Sequence, residues 1–429
     1  MTNYVPININ NVIGRQKKML NSSGFKFPTT KEVEQIVADV SESFTEDNKL
    51  IDRYFPQDTT YSTSIEMYMV RTRNSDDVEG MTLVHQVGSN ILPVDTRGAS
   101  FDLAKASWSP LAFAEDRTWD EKEMLYLGQL TEDVQQSVID EEIANFVPRM
   151  YRRMTNRRHW MVWEIMRKGK IQIRPGDAYN PQGLTVDVDY FLTDMELPLP
   201  IKFDAKDADG KSLVDPIEYF NNLKRASEFR PDKKPVKLIV QSSFEEILTD
   251  NTFIQYYLDY ERGLNALQMR PPRAVYRAAA LDLFKRYTGL AVELYDGKYK
   301  DDVTGELKYW IPHGEMVVIC GNDGPIGTFL YTPYVAGADD RGNIQYGTGP
   351  HIVVDNQVDN FKRGLPAFWR IAGRFHGLPR VEGYNPRDFS HHRIKWLRYA
   401  DPANTASWQP TYPSPVIIGQ QPAGAPTGV

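Results

Sequence analysis

The chain has 429 residues, more than one hydrophobic core usually serves, so two or more lobes are expected. Hydrophobic residues at 41% and charged residues at 25% are ordinary for folded protein, while 12% aromatics and 28 prolines point to large contact surfaces and many fixed turns. A net charge of −7 argues against a dedicated nucleic-acid binder, and the lone Cys320 excludes an intrachain disulfide framework and any multi-cysteine zinc site.

No basic-then-apolar leader opens the chain, and no run approaches the roughly 20 apolar residues of a spanning helix. A soluble protein without membrane contact is expected. The opening segment MTNYVPININNVIGRQKKMLNSSGFKF keeps neither helical nor strand period and reads as an extended arm. After Thr29 and Thr30, Val33, Ile36, Val37, Val40 and Phe44 fall at helical spacing and predict a short amphipathic helix. From Ser64 to about Thr118 the runs IEMYMVRT, GMTLVHQV and ASFDLAKASW, separated by turn-rich segments, predict a long twisted β hairpin. It has too few bulky residues on one face to hold a private core and must pack against something else.

Between Asp120 and Lys168 only Gly128 and Pro148 interrupt a helical pattern carried by Leu127, Leu130, Val134, Val138, Ile143, Phe146, Met150, Met154, Met161 and Ile165. One long helix, kinked at Pro148, is predicted. Its charge is segregated. Glu132, Asp133, Asp140, Glu141 and Glu142 lie early, whereas Arg149, Arg152, Arg153, Arg157 and Arg158 crowd FVPRMYRRMTNRRHW later. The helix dipole acts only within the terminal turns, so the segregation needs another cause. Contact with DNA phosphates and ion pairing within or between chains are the two readings, and pairing is favoured because a net-acidic protein needs little attraction for DNA.

Beyond the helix, LTVDVDYFL alternates as a half-buried strand, and PIEYFNNLKRASEF follows Asp215 as an amphipathic helix. A second α/β lobe is expected to begin near Pro235. Its parts are the strand KLIVQ, a helix over SFEEILTDNTFIQYYLDYERGLNAL, a glycine-stopped helix over PPRAVYRAAALDLFKRYTG, and a hairpin over LAVELYDGKYKDDVTGELKYWIP around Thr304-Gly305. MVVICG, which should bury Cys320, then GTFLYTPYVAG and HIVVDNQV continue the β pattern. FWRIAGRFHGLPRVEG and FSHHRIKWLRYA return as strands before a tail expected to be disordered after about Ser407.

Chemistry is sparse. No phosphate-binding GxxxxGK[ST] loop, GxSxG elbow or HExxH helix occurs, and GNDGPIG and YGTGPH read as turns. DAKDADG lacks a first acidic ligand and a closing glutamate, so it reads as a solvated turn, not a calcium loop. His391 and His392 would point to opposite faces of a strand, and His85, His313, His351 and His376 stand without a nucleophile or acid pair nearby in sequence. No catalytic residue, metal or cofactor is assigned, and no enzyme activity is expected.

The order of arm, hairpin, acidic-to-basic helix, strand, α/β lobe and return strands, with the stretches VPININN, FKFPTTKEV, TLVHQVGS, LAKASWSPLAF, WDEKE, NRRHW, DMELPLPIKFDAKD, PPRAVYRAAALDLFKRYTGL, YWIP, FHGLP and GYNPRDFSHHRIKWL, resembles the major capsid proteins of tailed bacteriophages. The likeness covers about residues 5 to 400. It is to the HK97 fold in its lambda-type branch, and within it to shell proteins of long-tailed phages infecting Thermus.

That resemblance implies an α+β shell fold. Residues 1–60 would be the N-arm, 61–118 the E-loop hairpin, 119–233 a P-domain with spine helix, strand and short helix, 234–365 the A-domain, 366–405 returning P-domain strands, and 406–429 a tail. It implies self-assembly into hexamers and pentamers of an icosahedral shell around double-stranded DNA, with scaffold, portal and decoration proteins as partners. The chain would reside in the virion, after assembly in the host cytoplasm. Met67, Met69, Met81, Trp108 and Phe113 become candidate contacts of the E-loop with a neighbour, although packing on the parent chain fits them equally. Some members lock the shell by a lysine-to-asparagine bond, but the lambda-type branch does not. No residues here match that chemistry, and Lys105 reads as an ordinary lysine. A phage tail or baseplate component and a nucleic-acid-processing enzyme are the alternatives. The long helix disfavours the first, and the absence of a metal-spaced carboxylate pair beside the arginines disfavours the second.

Overall fold

The computed structural model describes residues 45–72, 101–120, 132–175, 185–227, 234–261, 273–300, 306–338, 344–356, 368–381 and 393–401, apart from 63, 191, 193, 194 and 348, together with 32, 33, 35, 36, 122, 123 and 126. In chain order these hold α1 (Thr45–Tyr54), β1 (Gln57–Thr59), β2 (Ile65–Thr72), β3 (Phe101–Trp108), β4 (Leu111–Trp119), α2 (Glu132–Lys168), β5 (Lys170–Ile173), β6 (Val186–Asp189), α3 (Pro216–Ala226), β7 (Pro235–Val240), α4 (Ser243–Asp250), α5 (Thr252–Glu261) and α6 (Arg273–Thr288). The strands β8 (Ala291–Leu294), β9 (Lys298–Lys300), β10 (Leu307–Tyr309), β11 (Glu315–Cys320), β12 (Gly327–Tyr331), β13 (Tyr334–Ala338), β14 (Ile344–Gly347), β15 (His351–Asn356), β16 (Trp369–Val381) and β17 (Ile394–Arg398) complete the described set. The fold is α+β.

The apolar runs KLIV and MVVIC explain the layering. A strand with consecutive apolar residues, as in Leu238–Val240 and Met316–Cys320, must be buried on both faces. β7 and β11 lie in the middle of a four-stranded sheet ordered β17-β11-β7-β8. Ile239, Val317, Ile319, Ile394 and Trp396 point from it into a first core, while Leu238, Val240, Met316, Val318, Cys320 and Leu397 point into a second. The second core is closed by Phe220 of α3, Phe244 and Ile247 of α4 and Phe284 of α6. The first is shared with α2 and with a five-stranded sheet in which β16 pairs with β4, β12 and β15, and β1 pairs with β12.

Local chemistry sets the helix ends. Asp215 accepts from the Ile217 backbone N–H at 2.8 Å and Pro216 opens α3, as expected for an N-cap followed by proline. α2 and α6 each stop at a glycine with positive φ, Gly169 at 67° and Gly289 at 61°. Their N–H groups donate back to the carbonyls of Ile165 and Lys285, at 2.8 and 2.7 Å. The far end of α2 is moored by Glu315. This buried carboxylate accepts from Arg167 at 3.1 Å, from Arg398 at 3.2 Å and from the Trp396 indole at 3.0 Å.

Several expectations change. The helix predicted over 243–267 breaks at Asn251, whose extended backbone ends α4. Its side chain accepts from the Phe253 N–H to start α5 and donates to Val214 and Phe203 carbonyls. The hairpin predicted over 290–312 shrinks to β9 and β10, because β8 pairs parallel with β7 instead. Of the hairpin predicted over 64–118, the described residues show β2 against β3, from Ile65↔Trp108 to Thr72↔Phe101. β4 belongs to the five-stranded sheet, with Leu111 to Trp119 paired along β16. Two sheets run across the boundary expected at 365. β12 and β15 join β16, while β17 joins β11. Strand partners are chosen across long sequence separations, which a local pattern does not encode. Met81, His85, His391, His392 and the residues after 401 lie outside the described set.

Candidate intersubunit site on the long helix

With 37 residues at about 1.5 Å each, α2 is about 55 Å long. It buries Ile139, Ile143, Val147, Met150, Met154, Met161, Ile165 and Met166 on one side. Pro148 lies inside the helix, as expected. Opposite the buried side, Val134, Val138, Glu141, Asn145, Arg149 and Arg152 recur every three or four residues and are exposed.

β4 forms the facing wall. In LAFAEDRTW, Leu111, Phe113, Glu115, Arg117 and Trp119 share the inward side. Trp119, fully enclosed, donates its indole N–H to Glu142 at 2.6 Å and packs on Trp369 with ring centroids 4.7 Å apart. The Arg117 guanidinium lies 4.8 Å above the Trp119 ring, bonds Glu123 through two nitrogens at 2.9 and 3.2 Å, and pairs with Glu142 at 3.6 Å. Partial desolvation opposes its charge, but Glu123 and Glu142 raise its pKa overall. Between β4 and α2 runs an open groove of about 420 Å³, lined by Arg117, Trp119, Val138, Glu141, Glu142, Asn145, Phe146, Arg149 and Arg153. Its lining combines Trp119, Val138 and Phe146 with side chains of both charges.

The five arginines divide. Arg158 is buried, 4% exposed, and pairs with Asp52 of α1 at 3.2 Å. Arg153 pairs with Glu115 of β4. Arg157, half-buried, stacks over Phe113 at 5.4 Å and Trp160 at 5.2 Å. Arg149 and Arg152 are exposed, and Arg149 lines the groove. Among the acids, Asp140 accepts from the Gln136 amide at 2.7 Å, Glu141 is exposed, and Glu142 is held by Trp119 and Arg117. Glu132 and Asp133 open the helix, but their side chains lie outside the described set. Glu141 and Arg157 are about 24 Å apart along the axis, too far to pair within one helix. Arg158 and Arg153 take their partners from other elements, Asp52 and Glu115, and sequence reasoning missed both. For Glu115 the signal was present, since it shares a strand face with Phe113 and Trp119.

The hairpin contacts also resolve in part. Phe113 stacks on Phe375 at 5.0 Å and Trp108 packs against Tyr190 at 5.1 Å, so both pack on the parent chain. For Phe113 the cause is the register of β4, which places it opposite Phe375. Met67 and Met69 lie on β2 opposite Ala106 and Ala104. Lys105, on β3, stands opposite Tyr68.

Other sequence candidates resolve without a site. In DAKDADG the Asp207 carboxylate accepts from the backbone N–H groups of Asp209 and Lys211 at 3.0 and 2.8 Å, a closed turn. Cys320 is buried in the second core. Among the described residues no helix is long and apolar enough to cross a membrane, and no cluster of metal-ligating side chains occurs.

The family described as phage major capsid protein E matches residues 33–348, most of the chain. The chain belongs to the phage major capsid protein E family. Its structure is also similar to a prophage capsid protein of E. coli CFT073, at 15% identity over 88% of this chain and 100% of that one, with TM-score 0.43. A second likeness is to the capsid of Myoviridae phage XM1, at 10% identity over 89% and 95%, TM-score 0.38. A third is to the capsid of Ralstonia phage GP4, at 11% identity over 81% and 87%, TM-score 0.36. Likenesses at this level carry no residue-level inference. For a capsid subunit, what matters on α2 is which groups it presents to the outside: Val134, Val138, Glu141 and Arg149.

Proposed function

We propose that the chain is the shell subunit of a tailed phage, assembling into hexamers and pentamers of an icosahedral HK97-like container for double-stranded DNA, in the lambda-type branch and akin to shell proteins of Thermus phages. Membership of the capsid family carries this reading. The two-stranded ribbons β2–β3 and β13–β14 support it, because an isolated pair of strands is marginal in water and gains stability by lying on a neighbour. On β13–β14, Val335 faces Tyr346, and they are 56% and 70% exposed.

In this reading residues 1–60 act as the N-arm and residues 61–118 as the E-loop, with β2–β3 as its described ribbon and Met67, Met69 and Met81 as candidate contacts with a neighbour. The mixed-charge groove beside α2 receives a segment of an adjacent subunit, with Arg149 as its basic edge and Glu141 as its acidic edge. Arginines not engaged by a neighbour contact packaged DNA through phosphates alone. Scaffold, portal and decoration proteins complete the assembly, which forms in host cytoplasm and ends in the virion.

Electron microscopy of the expressed protein, alone and with its scaffold, is the test. Closed isometric shells are expected. Tubes or rings would assign the chain to a tail or baseplate, and monomers under every condition would remove the shell reading.

A further inference from the structure

Residues 1–31 hold Arg15, Lys17, Lys18, Lys26 and Lys31 and no acidic residue. Against a net charge of −7 for the whole chain, residues 32–429 therefore carry −12. The segment also carries scattered apolar residues, Val5, Ile7, Ile9, Ile13, Leu20 and Phe25 among them. Where the described chain begins, Val33 and Ile36 are buried in the first core, the core that α2 completes. A basic, apolar segment thus leaves the same body that presents the acidic half of α2.

That half is its chemical complement. Val134 and Val138, one turn apart, are 46% and 37% exposed. Glu141 follows them on the exposed side, Asp140 lies beside it, and Glu132 and Asp133 precede them. Two exposed valines with the exposed Glu141 carboxylate beyond them, on a stretch whose sequence is acidic, suit a chain that alternates aliphatic side chains with lysines. A lysine stem can cover the valines while its ammonium reaches Glu141. Duplex DNA is the competing ligand for such a segment, but it offers no apolar groups and would leave Val134 and Val138 uncovered.

We propose that the acidic first half of α2 is the docking site for the amino-terminal segment of this chain, residues 1–31. Such docking supplies a reason for the charge segregation along α2 that the helix dipole does not, and it goes beyond the shell reading by naming the occupant.

Zero-length carbodiimide cross-linking of the full-length protein, read by mass spectrometry, tests it, since only amines touching carboxylates are joined. Lys17, Lys18, Lys26 or Lys31 should link to Asp133, Asp140 or Glu141, and Glu141→Lys should cut the yield at least threefold. Lys168 and Glu164, 2.7 Å apart one turn along the helix, provide the internal control. Mixing heavy- and light-isotope protein identifies which copy supplies the segment, and either pattern supports docking. If the control link forms and the arm lysines link elsewhere or nowhere, the proposal is overturned. Arm lysines shielded from acetylation only when a 20-base-pair duplex is added would assign the segment to DNA instead. Shell formation, scored separately in micrographs, keeps this outcome distinct from that of the proposed function.

Discussion

At Gly373 of β16 the absence of a side chain lets α2 lie directly on the sheet. A Cβ there would sit 2.7 Å from the Met150 sulfur, closer than carbon and sulfur approach, and Met150 is fully buried. Gly373→Ala is expected to cost about 1–3 kcal/mol by overpacking. Met150→Ala should cost about 2–5 kcal/mol by leaving a cavity. Combined, the two should cost less than their sum, because the added methyl enters the vacated space. Urea unfolding of the four proteins checks this, and strict additivity would mean the two sites do not touch. His159 acts at the same scale. Burial, and then the neighbouring Arg158, hold its pKa well below the ordinary value, and those of His313 and His376 are lowered too. On acidification the unfolded chain takes up these protons first. Stability is therefore full above about pH 6.5 and declines below it, by up to about 1.4 kcal/mol per pH unit for the buried His159 and by less for His313 and His376, which stay partly in water. Melting temperatures between pH 7.5 and 5 should show that decline, and His159→Gln should make it shallower. An unchanged slope would refute the assignment.

Among elements, α1 is the piece whose placement carries most consequence. Its last turn sends Asp52 to Arg158 on α2, while Arg53 and Tyr54 both reach Asp323, which also bonds Lys237 of β7. One short helix thus clasps the long helix to the central sheet. Asp52→Asn would leave Arg158 buried without its carboxylate, at a cost of about 2–4 kcal/mol, somewhat less than for a pair enclosed on both sides because Asp52 stays partly in water. Chemical denaturation measures the loss, and a change below about 0.5 kcal/mol would mean the pair is incidental. None of this was legible in TEDNKLIDRY, since Asp52 and Arg158 are more than 100 residues apart. The long helix itself was legible, because its apolar period and its glycine stop are local properties. So were the Asp215 cap and the doubly buried strands, KLIV and MVVIC. The site was legible in half: the sequence marked the charged residues of α2, but β4 was taken into the hairpin, so the wall carrying Glu115, Arg117 and Trp119 went unrecognised.

For the whole molecule the useful distinction is between charges that hold the chain together and charges left for others. Arg153 and Arg158 belong to the first kind, Arg149 to the second. Arg149→Glu should change the unfolding free energy of the subunit by no more than about 0.5 kcal/mol, as for other exposed sites. It should nevertheless raise the protein concentration needed for shell assembly at low salt, with the difference shrinking as salt screens it. Light scattering across a salt series measures both. Equal assembly at every ionic strength would place Arg149 outside the subunit contact.

The sequence by itself determined the α+β class, the long helix and its segregated charge, the ribbon of β2 and β3, and the likeness to phage capsid proteins. These rest on patterns read within a few residues: a helical hydrogen bond joins positions four apart, and a strand alternates every second residue. Only the tertiary structure decided that β4 pairs with β16, that β17 joins β11, and that the arginines of α2 pair with Asp52 and Glu115. A strand edge or a guanidinium accepts any partner of the right chemistry, and the choice is made by where the packed cores bring distant segments together.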